Sequence, residues 1–264
     1  MSSNESYLER FLVEEWIAKR LDNEHILKAF IPNRKRHSLY MVTEYIEGQN
    51  LHQWMIDNPK PSVEAVRKII EQAAKGLQDL HRQEMVHQDL RPNNIMIDSN
   101  GTIKIIDFGA TKVAGIVEMG HDQEGIQGTL LYTAPEYFLG ETGGANSDLF
   151  SLGTIAYQML TGSLSYGINV SKSTNKASQR KLSYQHIPND KNIPVWIDLA
   201  IKQAVHINPL KRYVEVSEFA YDLRHPNKKF AHKTKPPIIE RNPVAFWKMI
   251  SVILVIIIII QALN

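Results

Sequence analysis

Two polar clusters joined by a short hairpin constrain the fold of this 264-residue chain more than any other sequence feature. The first cluster is His-Gln-Asp-Leu-Arg-Pro-Asn-Asn at residues 87–94, and the second is Asp-Phe-Gly at residues 107–109. Between them, apolar runs at 95–98 and 102–107 flank Ser-Asn-Gly, and Asn-Gly is a strong signal for a tight turn. A hairpin there brings the end of the first cluster beside the second. Before both, apolar residues at steps of three and four predict a helix over residues 62–81.

The two clusters contain the side chains that phosphoryl transfer requires. Transfer from a nucleotide needs oxygen ligands for Mg²⁺, a carboxylate near the acceptor hydroxyl and a cation for the migrating group. Asn94 and Asp107 are suitable metal ligands. Asp89 is a suitable carboxylate, and Arg91 supplies the cation. A surface hairpin with flanking acids is the ordinary alternative for Asp-Phe-Gly alone, but two clusters at compatible spacing favour one site.

These residues resemble the catalytic and metal-binding loops of the protein kinase family, His-Arg-Asp-Leu-x-x-x-x-Asn and Asp-Phe-Gly. The resemblance covers roughly residues 8–224 and implies an α+β, two-lobed kinase fold with a mainly helical C-terminal lobe. It implies ATP and Mg²⁺ as cofactors, with catalytic residues Asp89 and Arg91 and metal ligands Asn94 and Asp107. The Arg-Pro-Asn-Asn that ends the first cluster is nearer the serine/threonine form, Lys-Pro-Glu-Asn, than the tyrosine-kinase form.

The N-terminal region departs from the family pattern. A helix is predicted over about residues 7–21, because a Ser-x-x-Glu capping box at 6–9 precedes apolar residues at helical spacing. Within this helix, Glu14 resembles the C-helix Glu that pairs with a Lys on the third strand of the small lobe, and Glu15 is the alternative. Neither a Gly-x-Gly-x-x-Gly loop nor a Val-Ala-Ile-Lys strand precedes Glu14. We therefore expect an incomplete N-terminal lobe in which Glu14 has no Lys partner.

A strand running into a linker is predicted over residues 38–48, which are rich in β-branched and aromatic residues and end in Gly. This segment is similar to the kinase hinge. The resemblance implies four nucleotide-contacting residues, namely Thr43 behind the base, the backbone of Glu44 and Ile46 at the adenine edge, and Met96 beneath the base. Taken alone, Thr and Met in such places are more often ordinary core residues.

Further motifs belong to the predicted C-terminal lobe. Gly-Thr-Leu-Leu-Tyr-Thr-Ala-Pro-Glu at residues 128–136 resembles the segment that presents a polypeptide substrate, and Thr129 lies within it. Small-molecule phosphotransferases of the aminoglycoside type lack this segment. The resemblance also implies that Asp148, at the start of a long buried helix, fastens the catalytic-loop backbone. It implies that Arg212 pairs with Glu136.

Gln88 stands where the family has an Arg that binds a phosphate on the activation loop. Residues 112–128 contain no Ser, Thr or Tyr. Because the phosphate-binding residue and the phosphate acceptors are absent together, we predict that phosphorylation within 112–128 does not switch activity. A phosphate mapped there by mass spectrometry would contradict this hypothesis.

The C-terminal end of the chain is predicted to be a membrane anchor. The nineteen residues 246–264 would span about 28 Å as a helix, close to the roughly 30 Å of a bilayer core. A buried C-terminal helix is the alternative. Residues 224–248 carry seven basic residues against one acidic residue, which suits a cytoplasmic linker near anionic headgroups, with nucleic-acid binding as a weaker alternative. We expect a single-pass membrane protein with a cytoplasmic kinase domain and no nucleic-acid partner.

These patterns divide the chain into a partial N-lobe at 1–46, a C-lobe at 47–224, a basic juxtamembrane linker at 225–243 and a transmembrane helix at 244–264. The absence of cysteine excludes disulfides and thiol chemistry. The expected function is transfer of the ATP γ-phosphate to protein Ser/Thr hydroxyls. Because the Gly-rich loop and the Lys are absent, two alternatives stay open: an inactive pseudokinase or scaffold, and a piece of a longer kinase.

Overall fold

In the computed structural model, the described residues are 3–30, 37–113, 129–188, 193–231, 244, 246–251, 253 and 261. The chain separates into two compact units, Met1–His225 and Pro226–Asn264, each described by itself. In the first unit the helices are α1 Ser3–Arg20, α2 Leu51–Asp57, α3 Val63–Arg82, α4 Ala145–Thr161, α5 Asn169–Lys172, α6 Lys176–Gln179, α7 Val195–Ala204 and α8 Val216–Arg224. Its strands are β1 Ala29–Phe30, β2 Val42–Thr43, β3 Gly48–Asn50, β4 Met85–Val86, β5 Ile95–Asp98, β6 Ile103–Ile105 and β7 Lys112–Val113. The second unit contains α9, Lys228–Ala231.

The first helix, α1, confirms the predicted helix but begins earlier than expected. It starts at Ser3, so the predicted capping box at 6–9 lies inside the helix, and that part of the prediction is wrong. Ile17 and Ala18 are buried, whereas Leu12 and Trp16 are largely exposed. The C-terminal half of α1 therefore packs into the domain along one face.

The segment 38–48 is not one strand. Its strands are β2, which pairs with β1, and β3, which pairs with β5 in a different sheet. The intervening residues 44–47 connect the two sheets, so the chain leaves one sheet and enters the next. The prediction of a strand running into a linker is confirmed in part, because the strand is only the two residues of β2 and the linker is 44–47. Residue types alone do not reveal which strand each half will pair with.

The predicted hairpin is confirmed. β5 and β6 pair antiparallel, with Ile95 opposite Ile105 and Ile97 opposite Ile103, and these four side chains are buried on one face. The Asp98 carboxylate accepts hydrogen bonds from the backbone N–H groups of Asn100 and Thr102, both at 2.8 Å, which fixes the turn. Gly101 has φ of 82°, a left-handed conformation that glycine adopts without steric cost.

The helix before the catalytic loop, α3, is also confirmed. Ser62 Oγ accepts a hydrogen bond from the N–H of Ala65 at 3.1 Å and caps its N-terminus. Its buried face, which includes Ile70, Leu77 and Leu80, packs against α4 and α8. This face holds the C-terminal end of α3, and hence the loop that follows it, against the helical core.

The centre of the helical core is α4. All but a few of its residues are buried, and Gly153 allows α7 to approach it closely. A Cβ atom at Gly153 would lie 2.8 Å from Cγ1 of Val205 and 3.0 Å from Cβ of Ala204. The close approach of these two helices therefore requires glycine at this position.

Within the part of the chain that the structure describes, no helix is long and apolar enough to cross a membrane. Most of the predicted anchor at 244–264 lies outside the described residues, as does most of the basic linker. Residues 114–128 also lie outside the described residues. They make up most of the segment 112–128, in which phosphorylation is predicted not to switch activity.

Candidate active site

The backbone of the first polar cluster is held by a buried carboxylate from the start of α4. Asp148 accepts hydrogen bonds from the backbone N–H groups of His87 at 2.8 Å and Gln88 at 2.9 Å. The same carboxylate contacts Nε2 of His81 at 2.8 Å, at the end of α3. The sequence pointed to Asp148 but not to His81, which belongs to no recognised motif. The loop is thereby fixed to α4 and to the end of α3.

Two residues of the clusters adopt a left-handed backbone conformation. Gln88 has φ of 67° and Asp107 has φ of 65°. Such conformations cost about 1–3 kcal/mol for a residue other than glycine and concentrate at functional sites. The N–H bond of Gln88 to Asp148 offsets this cost in the first cluster. The buried ring of His87 lies edge-on to Phe108, with 5.8 Å between ring centroids, and joins the two clusters.

Asp89, Asn94 and Asp107 come together as the hairpin predicts. Asn94 donates from Nδ2 to the backbone oxygen of Asp89 at 2.8 Å and to its carboxylate Oδ2 at 3.0 Å. The backbone oxygen of Asn94 accepts from the N–H of Ile106 at 2.9 Å, which places Asn94 beside Asp107. Asp107 is exposed, so its carboxylate is accessible to a ligand.

The Asp89 carboxyl lies in a partly desolvated position. Burial is the largest influence and raises its pKa above the ordinary value, and the charge of Asp107 acts in the same direction. The neighbouring Arg91, with Nε 3.4 Å from Oδ2 of Asp89, is the largest opposing influence. A carboxylate with a raised pKa is a better proton acceptor near neutral pH than an ordinary Asp.

The donor set suits Mg²⁺ bound together with a nucleotide. Within the described ranges, no group of three or more His, Cys, Asp or Glu side chains could hold a metal ion. Mg²⁺ usually takes one or two carboxylates, waters and substrate phosphates instead of a complete protein cage. Because Asn94 uses Nδ2 to bind Asp89, its amide oxygen is left as a potential ligand beside Asp107.

The structure places Glu14, not Glu15, against the second cluster. Burial, followed by the charge of Asp107, raises the pKa of the Glu14 carboxyl, whereas a hydrogen bond from the N–H of Phe108 opposes that rise. Glu15 forms an ion pair with Lys19 at 2.6 Å, one turn along α1. Glu14 therefore contacts the second cluster directly.

The segment that resembles the kinase hinge begins at the end of β2. Thr43 is the last residue of that strand and is half-buried. The N–H of Glu44 donates to the backbone oxygen of Lys28 at 3.0 Å, and its carboxylate pairs with Lys104 at 2.9 Å. These contacts fix the side chain and N–H of Glu44, and no donor among the described residues bonds to its backbone oxygen.

Ile46 and Met96 lie on the elements that follow. Within the ranges that the structure describes, no residue accepts a hydrogen bond from the N–H of Ile46, so this donor is available to a ligand such as an adenine edge. Met96 pairs with Asn50 across β3 and β5 and is half-buried, on the opposite face from the buried Ile95. The hinge segment leads directly into β3 and thus lies near Met96.

The predicted substrate loop is anchored by a buried ion pair. Arg212 donates from Nη1 to Oε1 of Glu136 and from Nη2 to Oε2, both at 2.7 Å. Ser147 Oγ adds a third hydrogen bond to Glu136 at 2.7 Å, and Arg212 also donates to the backbone oxygen of Asn146. The pair is almost fully buried, and its charges are satisfied by hydrogen bonds on both sides. The sequence pointed to the pair but not to Ser147.

The backbone of Thr129 opens a short 3₁₀ helix, Thr129–Leu131, and its side chain lies outside the described residues. Just beyond it, Tyr132 donates to Oε1 of Gln158 at 2.6 Å, and Ser151 Oγ donates to the backbone oxygen of Tyr132 at 2.8 Å. Both partners come from α4. The start of the substrate loop and its end at Glu136 are therefore attached to the same helix that fixes the catalytic loop.

A catalytic loop fixed by a helix-borne Asp, a metal-binding loop on the next hairpin and a substrate loop held by a buried Arg–Glu pair together define a protein kinase domain. A family model described as protein kinase domain matches residues 1–227. The chain belongs to the protein kinase family.

Similar proteins are bacterial serine/threonine-protein kinases. PknA of Corynebacterium glutamicum is 34% identical over 166 residues, covering 61% of this chain and 35% of that protein. PrkC of Bacillus subtilis is 25% identical over 231 residues, covering 84% and 34%. PknL of Mycobacterium tuberculosis is 28% identical over 233 residues, covering 84% and 55%. The chain spans about a third of the length of the first two relatives and about half of the third. These comparisons confirm the prediction of a bacterial-type serine/threonine protein kinase domain.

Proposed function

We propose that this chain transfers the γ-phosphate of ATP to Ser or Thr hydroxyls of proteins. One observation carries the proposal: Asn94 joins the Asp89 carboxylate to the loop that bears Asp107, so that a proton acceptor and two oxygen ligands lie in one cluster. This is the arrangement that phosphoryl transfer with Mg²⁺ requires.

Each residue has a distinct role in this proposal. Asp89 orients the acceptor hydroxyl and accepts its proton, and its raised pKa favours that role near neutral pH. Arg91 places a positive charge beside Asp89, where negative charge develops during transfer. Asn94 and Asp107 would hold Mg²⁺, which supplies charge neutralisation for the phosphates when bound.

A protein acceptor is favoured by the anchored loop before α4. The ion pair of Glu136 with Arg212 and the bonds of Tyr132 to α4 attach that loop to the helix that also fixes the catalytic loop. A fixed surface of this kind is needed to position a polypeptide, and the relatives named above are serine/threonine kinases. We propose that Thr43, Glu44, Ile46 and Met96 hold the adenine end of ATP.

A catalytically weak pseudokinase is the second candidate, and the surroundings of Glu14 favour it. In active kinases a Lys that pairs with this Glu holds the α and β phosphates. Here the Glu14 carboxylate contacts the N–H of Phe108 and lies near Asp107. If phosphate positioning depends on such a Lys, this chain alone binds ATP without efficient transfer.

Label transfer tests the two candidates. The full chain is incubated with Mg²⁺, γ-labelled ATP and a generic protein acceptor, beside the variant Asp107→Asn. We expect label on Ser or Thr of the acceptor, identified by phosphoamino acid analysis, and loss of label in the variant. Absence of transfer by a folded wild-type chain that still binds ATP would support the pseudokinase instead.

We also propose that the chain is tethered to a membrane by residues 244–264, with the kinase domain in the cytoplasm. The support is the length and apolar character of that segment and the basic residues that precede it. A tether of this kind would hold the domain beside substrates at the membrane surface.

A further inference from the structure

A large cavity lies away from the phosphoryl-transfer site, at the far end of the substrate loop. Its volume is about 780 Å³, and its walls include Glu136, Leu139 and residues that follow α6 and α7. Nothing in the proposed transfer reaction uses it. Six of its lining residues are basic: Lys176, Arg180, His186, Lys202, His206 and Lys211.

The positive charge of this cavity is only partly balanced. Of its two lining carboxylates, Glu136 is bound to Arg212, and Glu141 pairs with Lys176 at 3.0 Å. The remaining cations are Arg180, Lys202 and Lys211, and no carboxylate from the described ranges forms an ion pair with any of the three. The cavity therefore presents an excess of positive charge to solvent.

One of these cations contacts a hydrogen-bond network around the buried Asp198. The Asp198 carboxylate accepts hydrogen bonds from the hydroxyl of Tyr184 at 2.8 Å and the N–H of Ile187 at 3.0 Å, and it contacts Nδ1 of His186. With its proton on Nδ1 facing Asp198, His186 offers Nε2 as an acceptor to Nζ of Lys202 at 3.1 Å. The ammonium group also lies 5.7 Å from the centre of the Tyr184 ring. These contacts place the Lys202 ammonium group at the cavity wall.

His206 contributes a neutral donor. Its Nδ1 accepts a hydrogen bond from the N–H of Asn208 at 2.9 Å, so the ring proton lies on Nε2. Burial, with the nearby charge of Lys211, lowers the pKa of His206 and so favours the uncharged ring. Hydrogen-bond donors and cations therefore line the same cavity.

The cavity is also joined rigidly to the substrate loop. Gln179, at the end of α6, donates from Nε2 to the backbone oxygen of Pro135 at 2.7 Å. Pro135 immediately precedes Glu136, which is one of the residues that line the cavity. A ligand in the cavity would therefore lie at a fixed distance from a polypeptide bound along the loop.

We propose that this cavity binds a phosphorylated Ser or Thr side chain of a polypeptide, in a segment remote from the hydroxyl that accepts phosphate. A phosphomonoester carries a charge of about −1.5 to −2 at neutral pH and has three acceptor oxygens. It can therefore bind several cations and a neutral donor at once, which a carboxylate ligand with a single charge does less well. The statement that this polypeptide is a kinase substrate rests on the proposed function. The binding of a phosphorylated side chain does not depend on the proposed function.

Peptide binding tests the proposal without relying on catalysis. A labelled nine-residue peptide of Ala, Gly and Gln with a central phosphothreonine is titrated with the full chain, beside the same peptide with Thr or Glu at that position. We expect binding only of the phosphorylated peptide, and an increase in Kd of about tenfold or more in the Arg180→Gln/Lys211→Gln variant. These side chains are exposed, so folding should be unaffected.

Two matched variants separate the possible causes of failure. Lys68→Gln removes an exposed charge of α3 that does not line the cavity, and it should leave the Kd unchanged. Asp107→Asn should abolish phosphoryl transfer without altering peptide binding, so loss of the proposed function and loss of this site give different results.

Three results would overturn the proposal. The first is equal binding of the phosphorylated and unmodified peptides, or equal binding by wild type and Arg180→Gln/Lys211→Gln. The second is displacement of the peptide by inorganic phosphate at a concentration equal to the peptide Kd, which would show that the cavity recognises the ion and not the polypeptide. The third is binding of anionic-lipid vesicles, lost in the same variant, without any peptide binding.

Discussion

The acidity of a single carboxyl group controls the proposed reaction at the scale of the residue. Asp89 must be deprotonated to accept the hydroxyl proton, and burial raises its pKa while Arg91 lowers it. As the pH falls through this raised pKa, Asp89 gains a proton and transfer is lost. The loss therefore begins at a higher pH than for an Asp with the ordinary pKa.

Replacing Arg91 by Gln should move the loss of activity at acidic pH, the acid limb of the pH–rate profile, to still higher pH. Without the cation beside it, the Asp89 carboxylate loses its largest stabilising charge, so its pKa rises again. We expect the acid limb of kcat/KM against pH to move to higher pH, in addition to a lower maximum. The measurement is a pH–rate profile for wild type, Arg91→Gln and the control Lys68→Gln. An acid limb that stays in place or moves to lower pH would contradict this assignment of the pKa.

At the scale of the element, buried polar contacts join segments that are distant in sequence. Asp148 of α4 fixes the loop after α3, and Arg212 fixes the loop before α4. Both contacts combine charge with several hydrogen bonds. Losing one partner would leave a buried charge or buried donors without compensation, which is the costly case.

Arg212→Met should destabilise the domain by about 3–5 kcal/mol, because it leaves the buried Glu136 carboxylate without its cation. The double variant Glu136→Gln/Arg212→Met removes the charge as well and should recover part of that loss. Urea denaturation of the wild type and both variants measures the difference. If the double variant were less stable than Arg212→Met, the loss of stability in Arg212→Met could not be due to an uncompensated charge on Glu136.

Asp148→Asn should loosen the catalytic loop. An Asn side chain retains one acceptor oxygen where the carboxylate serves the N–H groups of both His87 and Gln88. We expect hydrogen exchange at these two amides to accelerate about tenfold or more, together with slower transfer. Asp57→Asn, at an exposed position of α2, is the control and should change neither property. Unchanged exchange in Asp148→Asn would show that other contacts hold the loop.

Local patterns in the sequence predicted elements well, and long-range pairing was harder to predict. The hairpin and α3 follow from a turn signal and from apolar spacing, which act within a few residues. In the segment 38–48 the sequence predicts a strand leading into a linker but not the pairing, because β2 and β3 pair with different strands. His81 and Ser147 were missed because their partners, Asp148 and Glu136, become neighbours only after folding.

At the scale of the whole molecule, family patterns indicate the proposed catalytic residues, whereas the basic cavity has no sequence signature. Arg180, Lys202 and Lys211 are separated by many residues and lie on different elements. Such scattered charges are usually independent surface residues, and only the fold brings them to the wall of one cavity. A set of cations like this is therefore found from the structure and not from the sequence.

The proposed tether gives a prediction for the entire chain. The apolar segment 244–264 should make the full chain sediment with membranes and resist extraction by alkaline carbonate. A chain that ends at residue 231 should remain in the supernatant, because it lacks that segment. Release of the full chain by carbonate would show that it is not inserted in the bilayer.

The most direct test of the account compares ATP affinity with phosphoryl transfer in wild type and Asp89→Asn. The substitution keeps the size of the side chain and removes its ability to accept a proton, while the proposed metal ligands Asp107 and Asn94 remain. We predict that Mg²⁺-dependent ATP binding changes less than about threefold, whereas single-turnover transfer falls by at least about a hundredfold. Full transfer by Asp89→Asn, or a loss of ATP binding equal to the loss of transfer, would contradict the catalytic role assigned to Asp89.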